Sequence, residues 1–154
     1  MTIYCVLEGM VLFMKKVSII YWSCGGSVEI LANMIADSAE ESGAKVTLKH
    51  VADATINDVL EADSVAFGSP AMDQNNIEEQ EMQPFIDSLK GLSIDNKKCI
   101  LFGSHGWTDD MFMKLWTNTM KSYGFNCIGE LVVKESPTKE NFENAQLLGK
   151  KLAK

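Results

Sequence analysis

The stretch YWSCGGSVEILANMIADSAEESG, Tyr21–Gly43, decides the fold because it joins a predicted strand to a predicted helix through one short turn. The strand covers Lys16–Trp22, and the small residues Ser23–Ser27 end it. Apolar residues then recur at helical spacing over Val28–Ser42. Free backbone amides at a helix start favour an anion, usually a phosphate. A tight turn that needs glycine for steric reasons alone explains the same residues equally well.

The rest of the chain repeats this alternation of strand and helix. Further strands are predicted at Lys45–Val51, Ser64–Ser69, Lys97–Ser104 and Asn126–Val133, and each is followed by a helical segment. This alternation implies an α/β fold with a mostly parallel sheet and helices on both faces. Ligands of such folds bind beyond the carboxyl ends of the strands, so the loops after the first, third and fourth strands form the candidate site. On the helix after the fourth strand, the residues expected to face the core are Met111, Leu115, Met120 and Tyr123.

Length and charge limit the class of protein. A chain of 154 residues with 46% hydrophobic content fits one domain, which we place at 14–154. Residues 1–13 are expected to be an N-terminal extension with a mis-assigned start, because Met14 directly precedes the first strand. Their apolar run is too short to span a membrane. The formal net charge of -7 argues against nucleic acid and anionic membranes, and it suits basic protein partners.

The cysteine pattern indicates a reducing compartment, the cytoplasm. The four cysteines, Cys5, Cys24, Cys99 and Cys127, show no Cys-x-x-Cys spacing, and the chain has two histidines. Neither a zinc site nor a redox dithiol motif is therefore expected. Cys99 and Cys127 lie in apolar strand-like runs, which is typical of core thiols.

The loop after the third strand, Gly68–Glu81, contains a methionine among polar residues. Met72 has surroundings that do not resemble a core, so we expect it to contact a ligand through its apolar side chain. The acidic residues Glu78, Glu79 and Glu81 are most simply a solvated face, and they are also suited to docking a basic partner.

The loop after the fourth strand, Gly103–Asp110, carries an indole in a glycine-flanked turn. An exposed Trp107 favours a binding role, whereas His105 by itself is more often structural. Asp109 and Asp110 are most simply the cap of the next helix, with a metal carboxylate pair as a weaker alternative. Met72 and Trp107 together are placed to flank a flat ring, and the small-residue turn is suited to its phosphate. These features predict a phosphorylated, planar cofactor.

In these stretches the chain resembles the short-chain flavodoxins, especially the clostridial kind. The matching segments are IIYWSCGGSVEILA, FGSPAMD, ILFGSHGWTDD and LGKKLA, and the resemblance extends from about Met14 to the end. It implies a three-layer flavodoxin-like fold with a five-stranded parallel sheet of order 2-1-3-4-5. It also implies bound FMN and a monomeric, cytoplasmic, low-potential electron carrier of an anaerobe. Such a carrier is not an enzyme, and it exchanges electrons with redox proteins that dock through basic faces.

The resemblance also implies the residues of the site. Ser23–Val28 correspond to the segment that wraps the FMN phosphate, and Met72 and Trp107 correspond to the pair that sandwiches the isoalloxazine ring. The complete set of expected cofactor-binding residues is Ser23, Cys24, Gly25, Gly26, Ser27, Val28, Ser69, Pro70, Ala71, Met72, Asp73, Ser104, His105, Gly106, Trp107 and Asp109. No catalytic residue and no metal ligand is expected.

Two departures from the family pattern predict altered binding. Cys24, Gly25, Ser27 and Val28 stand where the family has Gly, Thr, Asn and Thr, so two threonine hydroxyls are missing from the phosphate loop. At roughly 0.5–1.5 kcal/mol for each lost hydrogen bond, FMN would bind about one to two powers of ten more weakly. Asp73 replaces a glycine beside Met72, which predicts less stabilisation of the one-electron-reduced flavin because Asp adopts positive φ less readily.

Electrostatics bears on the flavin potential, and the length and composition of the loops bear on the alternatives to an electron carrier. An acidic site disfavours the anionic reduced flavin and lowers the potential, and a protonated His105 would make that potential depend on pH. A flavin-dependent quinone or nitro reductase is disfavoured by the short loops. A flavodoxin-like module that has lost FMN is supported by the altered 23–28 loop. A phospho-acceptor receiver domain is excluded because Ser23-Cys24-Gly25 and Gly68-Ser69-Pro70 lack the required acids.

Overall fold

The seven strands that the structure describes form two separate sheets. The computed structural model describes residues 3–7, 10–106 and 110–154, with side chains from Met14 onward within these ranges. At the N-terminus, β1 (Ile3–Leu7) and β2 (Met10–Met14) pair as an antiparallel hairpin, which the sequence patterns did not predict. The large sheet contains β3 (Lys16–Tyr21), β4 (Lys45–His50), β5 (Ser64–Pro70), β6 (Lys98–His105) and β7 (Asn126–Lys134).

All neighbouring strands of the large sheet are parallel, and their order is β4-β3-β5-β6-β7. Numbered in chain order, these five strands run 2-1-3-4-5, so the predicted topology is confirmed. The helices that connect or follow them are α1 (Ser27–Glu41), α2 (Ile56–Leu60), α3 (Met82–Asp87), α4 (Met111–Ser122) and α5 (Lys139–Leu152). The assignment of residues 1–13 to a mis-assigned start stays a prediction.

Two apolar layers hold the helices on opposite faces of the sheet. Side chains alternate across a strand, so Phe67 packs on the layer that contains α3 and α4, whereas Ala66 packs on the layer that contains α1 and α5. Six consecutive residues of β5, Ser64–Ser69, are buried because helices cover this central strand on both sides. Because both layers pack against the same sheet, they hold the carboxyl ends of its strands together along one edge.

The core-facing stripe of α4 differs from the prediction. Met111 and Leu115 are 40% and 48% exposed, so placing them in the core is wrong. The buried residues are Phe112, Met113, Trp116 and Met120, of which only Met120 was predicted. The stripe is rotated by about one residue because the two aromatic side chains, spaced four apart, bury more apolar area than Met111 and Leu115 would.

The loops expected to carry the site meet at the carboxyl edge of the sheet. Tyr21 at the end of β3 is in register with Gly68 of β5, and Pro70 at the end of β5 is in register with Ser104 of β6. The loops that follow β3, β5 and β6 are therefore neighbours. Among the helices that the structure describes, none is long and apolar enough to cross a membrane.

Candidate cofactor site

The turn between β3 and α1 presents backbone donors without partners. Gly25 has a φ of +77°, and the amide of Gly26 donates to the Ser23 hydroxyl at 3.0 Å. No side chain caps the start of α1. Among the described residues, no acceptor is present for the amides of Cys24, Gly25, Ser27 and Val28. An added Cβ at Gly25 meets nothing within 4 Å among the described residues, so this part of the turn is open on the side of that Cβ.

Two residues that the sequence patterns missed position this turn. The Ser27 hydroxyl donates to the carbonyl of Glu135, and the Glu135 amide donates to the His105 carbonyl at 2.8 Å. The segment after β7 is thereby tied to both α1 and β6. On the other side, the Ser23 amide donates to His50 Nε2 at 3.4 Å. Because the Ser27 hydroxyl already donates to the Glu135 carbonyl, the Ser27 amide is the donor of this residue that remains for an anion.

The loop after β5 borders a cavity of about 390 Å³. Met72 is 38% exposed, as expected for a methionine that contacts a ligand rather than the core. The cavity is lined by Trp22, Ala71, Met72, Asp73, Glu78, Glu79 and Gln80. The Ala71 amide donates to the Ser104 carbonyl at 2.7 Å, which joins this loop to the end of β6. The left-handed residues in the loop are Gln74 and Asn75, with φ of 60° and 61°, and Asp73 is not among them.

Glu78 is a buried structural carboxylate, so treating it as part of a solvated acidic face is wrong. Its side chain is 3% exposed and accepts hydrogen bonds from the amides of Gln80, Glu81 and Met82 at 2.7, 2.9 and 2.8 Å. Glu79 and Glu81 are exposed, as predicted. The Glu78 carboxylate therefore orders the start of α3 and the loop that carries Met72.

Ser69 lies beneath the site instead of lining it. It is fully buried, and its hydroxyl accepts from the Glu78 amide and donates to the Pro70 carbonyl, both at 2.9 Å. Its one proton is used and the residue is buried, so Ser69 has no donor to offer a ligand. Ser69 and Pro70 therefore act on the site by holding Glu78 and the adjoining loop in place.

The end of β6 places Ser104 and His105 at the same edge, and Gly106 follows them. His105 Nδ1 is buried and has no hydrogen-bond partner among the described residues. Trp107 and Asp109, which the sequence analysis expected in the site, lie outside the described residues. No group of three or more potential metal ligands occurs in the described part of the chain.

The fold and the uncapped turn are typical of α/β proteins that bind a phosphorylated ligand at the carboxyl ends of their strands. Comparison with known proteins gives the family. A family model described as Flavodoxin matches residues 19–148. A flavodoxin from Clostridium beijerinckii is 34% identical over 135 residues, which cover 88% of this chain and 97% of the relative. The solution structure of two-electron reduced Megasphaera elsdenii flavodoxin has a TM-score of 0.78 and 33% identity, and the match covers 89% of this chain and 98% of that one.

The chain belongs to the flavodoxin family, whose members are FMN-binding electron-transfer proteins and not enzymes. The residues present fit FMN. The unpartnered amides at the start of α1 suit a phosphate, and the cavity beside Met72 offers an apolar contact for a flat ring. When bound, FMN supplies the redox chemistry, since it accepts and releases electrons one or two at a time. The protein supplies the position and the electrostatic environment.

Proposed function

We propose that this chain is a low-potential electron carrier that holds FMN by main-chain donors of the 23–28 turn and by the loops after β5 and β6. The observation that carries the proposal is the set of amides at Cys24, Gly25, Ser27 and Val28 that find no acceptor among the described residues, near the Met72 cavity. A phosphate accepts charge-assisted hydrogen bonds from such amides, and these are stronger than bonds between neutral groups. No cationic side chain is required.

Each expected site residue receives a role in this proposal. Ser23–Val28 hold the phosphate, with Ser27 contributing its amide because its hydroxyl is bonded to Glu135. Met72 covers one face of the isoalloxazine ring, and Trp107 covers the other. Ala71, Asp73, Ser104, His105, Gly106 and Asp109 border the ring, whereas Ser69 and Pro70 support the loop from below.

The charge around the cavity supports a low potential. Asp73, Glu78 and Glu79 line it, and none of the described lining residues is basic. Reduction adds negative charge to the flavin, and nearby carboxylates make that charge less favourable. The anionic reduced state is therefore disfavoured, which lowers the potential of the couple.

Exposed carboxylates near the cavity favour redox partners with basic docking faces. Asp73, Glu79 and Glu81 are exposed on the rim of the site. Complementary charge accelerates encounter without requiring a tight complex, which suits a carrier that must release its partner. We propose that the carrier is monomeric. We also propose that it works in the cytoplasm, because its described cysteines, Cys24, Cys99 and Cys127, are free thiols.

The role of the turn is tested by the substitution Gly25→Ala. A Cβ at φ +77° strains the backbone by about 1–2 kcal/mol, so the amides move from their positions. We expect FMN to bind about tenfold more weakly, measured by quenching of flavin fluorescence during titration of the apoprotein.

Gly91→Ala is the matched control, because Gly91 also has a positive φ, +84°, and open space around it, but it lies beyond α3. Gly91→Ala should lower the free energy of unfolding by about as much as Gly25→Ala does, and it should leave the affinity for FMN unchanged. Wild-type affinity in both variants, or an equal loss in both, would contradict the assignment of the turn to the phosphate.

A further inference from the structure

The sheet brings together two cysteines that are 28 positions apart in the sequence. Cys99 of β6 is in register with Cys127 of β7, and β7 is the edge strand. Cα atoms of residues on neighbouring strands lie about 4.8 Å apart, which is within the 4.4–6.8 Å range that disulfides span. Cys-x-x-Cys spacing, the usual sequence signal of a dithiol, is absent, so the sequence patterns did not reveal this pair.

The two side chains face the same apolar layer. Both pack with the core layer that contains α4, and each thiol donates to a backbone carbonyl, Cys99 to Ile100 at 3.9 Å and Cys127 to Thr117 at 4.0 Å. A β-bulge between Cys99 and Ile100 interrupts the regular pairing of β6 with β7. A bulge of this kind permits the local adjustment that a cross-link between the strands requires.

Their surroundings give the two thiols different reactivity. Cys99 is fully buried, and burial raises its pKa well above the usual value. Cys127 is half-buried, and the hydrogen bond from Cys99, assisted by the charge of Lys121, lowers its pKa although burial and Glu130 oppose this. A reagent from solvent therefore meets Cys127 first, and Cys127 is also the better nucleophile.

We propose that Cys99 and Cys127 are an oxidisable pair that closes to a disulfide on reaction with a small-molecule disulfide such as oxidised glutathione. The Cys127 thiolate attacks one reagent sulfur, the reagent S–S bond breaks, and one glutathione thiolate leaves. Cys99 then attacks the Cys127 sulfur, its proton passes to the departing glutathione sulfur, and the second glutathione leaves as a thiol. Two protein thiols are oxidised, and the reagent is reduced to two thiols.

The pair is remote from the cofactor site. Cys99 is the second residue of β6, and Ser104, the first residue of this strand that we place in the site, lies five residues and about 17 Å further along. The disulfide would link the edge strand to its neighbour and leave the carboxyl edge unchanged. This inference is therefore independent of how FMN is held.

The test treats the FMN-loaded protein with oxidised glutathione and maps the products by mass spectrometry under non-reducing conditions. Wild-type protein should give a peptide pair linked through Cys99 and Cys127, and the map separates this product from reactions of Cys5 and Cys24. Cys99→Ala should accumulate a stable glutathione adduct on Cys127. Cys127→Ser should leave Cys99 unmodified, because the buried thiol is not reached.

Three results would overturn the proposal. The first is a wild-type reaction that stops at the glutathione adduct on Cys127. The second is a Cys127 that does not react in the folded protein. The third is a cross-link that forms only as flavin absorption shifts to that of free FMN, because the bond would then arise in unfolded chains.

Discussion

Replacing Glu78 with alanine is expected to lower the free energy of unfolding by about 3 kcal/mol, since three amides at the start of α3 lose a charged acceptor. Glu78 is buried, so water does not fully replace its carboxylate as the acceptor for these amides. The loop that carries Met72 should lose order as well, which weakens FMN binding. Urea unfolding of the apoprotein measures the first effect, and an FMN titration measures the second.

Glu79→Ala is the matched control for this experiment. Glu79 is the adjacent residue with the same side chain, but it is exposed and accepts one hydrogen bond, from Asn76 Nδ2 at 3.1 Å. Its loss should change stability by less than about 0.5 kcal/mol. Equal effects of the two substitutions would show that Glu78 belongs to a solvated acidic face after all.

The second large effect is expected for Gly103→Ala at the end of β6. A Cβ there would stand 2.3 Å from the carbonyl oxygen of Ser69 and 3.0 Å from the Phe112 ring. The first neighbour is backbone of the adjacent strand, so relief requires β5 and β6 to separate where the site begins. We expect a loss of about 3 kcal/mol in stability, at the upper end of the range for overpacking.

Gly106→Ala provides the comparison, because an added Cβ at Gly106 has no neighbour within 4 Å among the described residues. Its unfolding midpoint should stay close to that of the wild type in the absence of FMN. If Gly103→Ala unfolds at the same denaturant concentration as Gly106→Ala, the claim that β5 and β6 approach too closely at Gly103 to admit a Cβ is contradicted.

The fold was predictable because its signals are local and repeated. Five apolar runs bounded by small residues alternate with helical spacing, and this pattern alone implies a parallel sheet with helices on both faces. A second local signal is the capping box of α2, in which Thr55 is followed three residues later by Asp58. The prediction of the core-facing residues of α4 was wrong because Met111 and Phe112 fit helical periodicity equally well in the sequence. Packing against the sheet, which is not a local property, selects between them.

The site was predictable at the level of loops but not at the level of hydrogen bonds. The glycine and serine content of the 23–28 turn indicates a phosphate loop, and a methionine among polar residues indicates a ligand contact. The bond from Ser27 to Glu135 joins residues 108 positions apart, and no short-range pattern reports it. Glu78 resembles its neighbours Glu79 and Glu81 in sequence, and only the turn of the chain decides which carboxylate is buried.

The central claim is that main-chain donors in an uncapped turn hold FMN through its phosphate. Comparing the affinities of the purified protein for FMN and for riboflavin, which lacks the phosphate, tests this claim most directly. Two or more charge-assisted hydrogen bonds at about 1.5 kcal/mol each predict that FMN binds at least about 100-fold more tightly. Equal affinity for the two flavins, or no quenching of FMN fluorescence by the protein, would contradict it.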